Sequence, residues 1–326
     1  MIETIKALTE AFGPSGREDK IRNLIIEMIK DHVDGYNIDK VGNLIAWKGE
    51  GGEPVLFVSH MDEIGIVITN EIEEGFYRIE PVGGMSPYSA LSRRFILEDG
   101  TISVVSMEHE TFEDYKKALS NLTFDHLYLD TMGKKVKIGT FGVYLSSFYE
   151  SGDLMMSKAM DDRSGAAVLV ELVKKLKNPK RKFYVAFSIQ EEVGLVGASV
   201  VAYPMDVSEA IAIDVTDSAD TPKPFKRVSM KLGKGPAIKV KDKMSISDKR
   251  IVDKLVEVAE KEKIPYQMEV LIFGGTDAAA LMKTKDGIPS ATVSIPTRYI
   301  HTPSEVVSKK DFENTVKLLS AYVQRV

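Results

Sequence analysis

Pro54-Val55-Leu56-Phe57-Val58-Ser59 is an apolar run without alternating polar positions, and it ends abruptly in His60-Met61-Asp62-Glu63. A strand with one wet face alternates with period two. A run this continuous fits a central strand buried on both faces, and that requires a sheet covered by helices on both sides. Three further short runs have the same character: Phe183 to Ile189, Ala210 to Ile213 and Ala291 to Ile295. Segments of helical period lie before and after them, at 3–11, 17–32, 164–177, 249–261 and 312–324. In the 17–32 segment Ile21, Leu24, Ile25, Met28 and Ile29 form the stripe. The pattern predicts an α/β fold, a mixed central sheet with helices on both faces.

From Gly65 to about Glu150 the texture changes. Short β-like segments alternate with turns at 66–69, 76–80, 95–97, 101–106, 135–138 and 143–146, and 113–119 is the one helical stretch. Short strands at this spacing predict a small β-barrel inserted into the α/β pattern. The expected division is 1–64 as the first part of a catalytic domain and 65–150 as the inserted β-rich domain. Residues 151–326 complete the catalytic domain.

Each apolar run leads to a polar cluster: His60-Met61-Asp62-Glu63, Gln190-Glu191-Glu192, Asp214, and His301 a few residues on. Asp161 and Asp162 sit together where a loop meets the 164–177 helix. In open α/β sheets, sites form at the carboxyl ends of the strands. Carboxylates gathered there repel one another unless a cation joins them. The chain has no cysteine, so disulfides are excluded and any metal is held by His, Asp and Glu. That donor set suits zinc, cobalt or manganese, with zinc or cobalt expected.

Roles follow from the chemistry. Asp161 would bridge two divalent ions, His60 and Asp214 would complete one, and Glu192 and His301 the other. Asp62 would accept the second ring proton of His60. Glu191, adjacent to a ligand, would be the general base.

These residues reach a known family. His-Met-Asp-Glu-Ile-Gly at 60–65, Lys-Ala-Met-Asp-Asp-Arg at 158–163 and Gln-Glu-Glu-Val-Gly-Leu-Val-Gly-Ala at 190–198 come first. Asp214-Val215 with Asp220-Thr221-Pro222, Gly-Gly-Thr-Asp-Ala at 274–278 and Arg-Tyr-Ile-His-Thr-Pro-Ser-Glu at 298–305 follow in order. Together they resemble the dinuclear metal aminopeptidases typified by glutamyl and deblocking aminopeptidases, some of whose relatives carry an endoglucanase label. The resemblance implies a phosphorylase/hydrolase-like fold, two divalent ions per subunit, peptide substrates and a cis bond between Asp161 and Asp162. It also implies a homo-oligomer, from a dimer up to a tetrahedral dodecamer, with the insert carrying subunit contacts. The substrate side chain would border Phe273, Gly275, Thr276 and Asp277. Phe273 stands where the family has glycine, so the preferred N-terminal residue stays open.

Other readings are a metal-dependent deacylase or carboxypeptidase on the same site, or a catalytically silent assembly paralogue. A glycosidase fits poorly, since that chemistry uses two carboxylates flanking a sugar and no metal. Net charge is −5 with signs intermixed, and no basic stripe for nucleic acid is evident. Neither a signal-peptide pattern nor an apolar stretch of about 18 residues occurs, so no membrane span is expected and a cytoplasmic location is. Gly13-Pro14-Ser15-Gly16 reads as a plain turn. Lys239 to Lys249 reads as a solvated charge run. Asp277 either holds substrate or caps a helix, and Asp220 has similar standing. His32, His109 and His126 lack metal-like neighbours.

Overall fold

The computed structural model describes residues 1–325. The four apolar runs lie side by side as parallel strands at the centre of an eleven-stranded sheet. Their spatial order is Phe183–Ser188, Val55–His60, Glu209–Asp217, Ser290–Arg298. Leu44–Lys48 and Gly35–Ile38 extend one side antiparallel. On the other side Ser290–Arg298 pairs first with Ala237–Lys241 and, at its end, with Glu305–Ser308. Four parallel neighbours put four carboxyl ends along one rim.

Every residue of Val55–His60 is buried, and its side chains divide between the faces as the pleat requires. Val55 and Phe57 join the core with Ile5, Val168, Leu255 and Leu319 from the long helices. Leu56 and Val58 point the other way, onto Val201, Ala202 and Leu281. The long helices on the first face are Ile2–Glu10, Asp19–Ile29, Met160–Lys175, Lys249–Glu262 and Lys309–Arg325. Short turns Ala198–Val201 and Ala278–Leu281 cover the second face. Truncating a side chain so enclosed, such as Phe57→Ala, costs about 3–5 kcal/mol.

Between the first and second central strands the chain builds a closed antiparallel barrel. Around it run Gly65–Glu73, Phe76–Val82, Leu127–Asp130, Ile102–Met107, Arg94–Leu97 and Phe141–Tyr144, the last returning to the first. It has its own core of Ile66, Ile79, Phe95, Val105 and Leu129. The expected fold class therefore holds.

Details differ. Residues 135–138 are irregular between Gly133 and Gly139, whose positive φ values of 76° and 84° mark turns. Leu127–Asp130, with Leu127 and Leu129 inward, takes that place in the barrel. The charge run at 239–249 is not simply solvated. Lys239 is buried within the Ala237–Lys241 strand, and its ammonium lies 3.8 Å from buried Glu269. Asp214 does not follow a strand but lies within Glu209–Asp217, because pairing with Ser290–Arg298 continues through Asp217.

Candidate metal centre and active site

His60 is the last residue of its strand and is almost wholly buried, and its Nε2 lies 3.1 Å from Asp161 Oδ1. Nδ1 faces Asp62 Oδ1 at 3.4 Å. Asp62 is itself held from three sides. Ser15 Oγ donates to it at 2.6 Å, and the backbone N–H groups of Glu191 and Glu192 donate at 3.1 and 3.3 Å. The Gly13–Gly16 turn is thus more than a turn, since it delivers the hydroxyl that orients Asp62. Glu18, just after it, accepts from the Gln190 N–H at 3.2 Å and steadies the 190–192 loop.

Asp161 stands between the two histidines. His301 Nε2 is 3.2 Å from its Oδ2 and 3.3 Å from Glu192 Oε2. Potential ligand atoms of His60, Asp161 and Asp214 all lie within 4.8 Å of one another, and so do those of Asp161, Glu192 and His301. The Asp161–Asp162 peptide bond is cis. Asp162 belongs to neither group. It takes the Ser59 hydroxyl and, at 3.0 Å, the Gly165 N–H, which secures the helix start. A Cβ at Gly165 would meet the Asp162 carboxylate at 2.4 Å, so any larger residue must displace that carboxylate.

Several supports went unnoticed in the sequence. Glu305 accepts the Asp161 N–H at 3.0 Å and the His301 N–H at 2.6 Å, clamping both residues. Gly84, in the loop after the second barrel strand, offers its carbonyl to His301 Nδ1 at 3.1 Å. Beneath the 158–163 loop, buried Glu63 pairs with Lys158 at 2.7 Å and Arg163 at 3.5 Å. Glu305 and Lys158 were visible within their motifs, but spacing alone gave no sign of their partners.

The electrostatics are those of crowded acids. Burial and then the Asp161 charge push Asp214 up to about 8. Removal from water raises Glu191 well above the carboxylate range, and the Asp214, Asp277 and Glu192 charges add to this. Burial raises Glu192 as well. For His301, burial favours the neutral ring, but the Glu192 charge and the bond to Asp161 outweigh it and take the ring up to about 12. Glu192 Oε1 is buried without a hydrogen-bond partner among the described residues. Acids that hold protons and an oxygen that holds nothing fit a site built for divalent cations.

The substrate-loop residues separate. Phe273 and Gly275 line the cavity over the cluster. Thr276 is buried against Thr292, 2.9 Å between hydroxyls, and Asp277 is buried under the Ser188 hydroxyl without capping the helix it precedes. Asp220 forms a bidentate pair with Arg298 at 3.0 and 2.7 Å. Neither group of cation-capable residues includes His32, His109 or His126.

Residues 42–318 match the model of the M42 glutamyl aminopeptidase family. The chain belongs to that family. A protein of Acetivibrio thermocellus is 41% identical to this M42 chain, over 98% of this chain and 97% of its own. The lysyl aminopeptidase of Pyrococcus furiosus is 31% identical, covering 99% and 97%. Among solved structures, the TET1 peptidase of Pyrococcus horikoshii superposes with a TM-score of 0.89 at 34% identity, covering 100% and 99%. The aminopeptidase reading of the sequence stands with the M42 family, as does the fold. No helix among the described residues is long and apolar enough to cross a membrane.

Proposed function

We propose that this M42 member is a metal-dependent aminopeptidase working with two divalent ions, zinc or cobalt. His60 and Asp214 would hold one ion, Glu192 and His301 the other, and Asp161 both. The observation that carries this reading is the pair of ligand groups sharing Asp161. When bound, such ions polarise the first peptide carbonyl and acidify a water molecule.

The chain's own residues do the rest. Glu191 lines the cavity beside the cluster. It takes a proton from the attacking water and returns it to the nitrogen of the leaving amine as the C–N bond breaks. Asp62 keeps the His60 ring in one tautomer and orientation. Phe273 and Gly275 border the substrate, with Thr276 and Asp277 bracing their loop from below. The TET1 peptidase can assemble into a tetrahedron or a large octahedral shell. A homo-oligomer is the matching reading here, with residues 65–150 as the unit that carries subunit contacts and controls access. The expected location remains the cytoplasm.

The test is hydrolysis of a panel of N-terminal residues after chelation, after zinc or cobalt restoration, and with Glu191→Gln. Activity should vanish on chelation, return with metal, and fall in the variant by on the order of 10²–10⁴. Turnover indifferent to chelation would overturn the metal role. Cleavage of acylated amines in place of free N-termini would favour a deacylase.

A further inference from the structure

The cavity over the cluster has a neighbour. The first, of about 550 Å³, is walled by Glu191, Glu192, His301, Met244 and Leu271. The second, of about 630 Å³, is walled by Thr221, Phe225, Val228, Arg298 and Tyr299. Asp217 and Phe273 line both, so the two adjoin at those side chains.

An aminopeptidase substrate has one residue before the scissile bond and all its others after it. The catalytic cavity takes the first residue. A cavity opening from it lies on the path of the others. We propose that the second cavity is a subsite for the residues downstream of the scissile bond. There Phe225, Phe273 and Tyr299 receive a bulky apolar or aromatic side chain. This rests on the aminopeptidase reading above.

Three observations converge on it. Phe225 is 60% exposed and Tyr299 54% exposed, so neither ring serves the core. Phe225 meets Phe273 edge to face, with centroids 5.6 Å apart at 83°, which leaves ring faces open to a third ring. Tyr299 adopts φ +62°, in the left-handed region where a bulky side chain is an outlier. Its neighbour His301 has the same φ and a clear reason for it, a ring placed in the catalytic cluster. The Tyr299 carbonyl accepts the Thr302 hydroxyl at 2.7 Å, but its ring has no such place inside the protein. Strain of this kind marks functional positions, and the bidentate Arg298–Asp220 pair holds the base of its turn in place. Asp217 at the junction adds selectivity, because its carboxylate repels an acidic residue passing it.

The experiment compares three substrates that share one accepted first residue. One is its simple amide, one continues with two glycines, and one continues with two phenylalanines. Metal-loaded wild type should show the lowest KM on the third. Phe225→Ala should raise that KM roughly two- to tenfold, the range of a lost aromatic contact, while the amide is hydrolysed as before. Tyr299→Gly, which suits the left-handed backbone, should do the same. Equal KM for the two peptides in wild type would overturn the subsite. So would an equal loss on amide and peptide in both variants, since the rings would then act through His301. Failure of wild type to hydrolyse even the amide would overturn the aminopeptidase reading, and the subsite with it.

Discussion

The His60 side chain is 2% exposed at the end of a central strand, whereas that of His301 is 32% exposed on the loop after Arg298. Asp62, a carboxylate fixed by three donors, faces the Nδ1 of His60. A barrel carbonyl, that of Gly84, faces the Nδ1 of His301. One half of the centre is therefore made without the barrel. The other exists only where barrel and sheet meet. On the proposed ligand set the barrel would thereby have a chemical task besides any in assembly, and the His301 half would be the one that yields first.

The largest effect belongs to the residue common to both halves. Asp161→Asn should lose bound metal at both positions and lower kcat/KM by on the order of a thousandfold, the upper range for one charge-stabilising group. Retention of one tight ion would show that the halves do not share it. Next comes Asp62→Asn, which should weaken metal binding about 10–100-fold at the His60 half, as loss of an orienting partner does. Metal titration followed by calorimetry would resolve the weakened step.

Gly84→Ala should be milder and confined to the other half. Its Cβ would stand 2.6 Å from His301 Nδ1, so the ring must move. A loss of about tenfold in affinity is expected for the first ion removed by a chelator, with the second ion held as in wild type. Equal weakening of both would erase the proposed asymmetry.

The smallest effect is on pH. Without metal, the His60 and His301 rings are raised above their usual range, against the pull of burial, by neighbouring carboxylates, and Asp214 is raised to about 8 by burial and Asp161. These groups therefore hold protons at neutral pH that a metal ion must expel. Affinity should rise from pH 6 to pH 8, and calorimetry in buffers of different ionisation enthalpy should register proton release. Affinity independent of pH would contradict those shifts.

Much of this was legible in the sequence because burial writes a strong signal. Val55 to Ser59 reads as a two-sided strand since both of its faces meet apolar side chains. His60, Glu192 and His301 fall near the carboxyl ends of such strands, where topology alone brings them together. What was missed depends on contacts across long separations. Ser15 reaches Asp62, Gly84 reaches His301, and Glu305 clamps Asp161, and none of these pairs has a local pattern. Lys239 misled for a related reason. A lysine in a charged stretch reads as exposed, yet a buried partner, Glu269, lies on the neighbouring strand. The Leu127–Asp130 strand was lost among turns because its alternation spans only two inward residues.

The most direct test of the two-half account is a count of tightly bound ions per chain, by elemental analysis of the metal-loaded protein, for wild type and His301→Ala. Two ions in wild type and one in the variant, with the survivor still sensitive to Asp62→Asn, is the predicted result. A single ion in wild type, or none in His301→Ala, would contradict it.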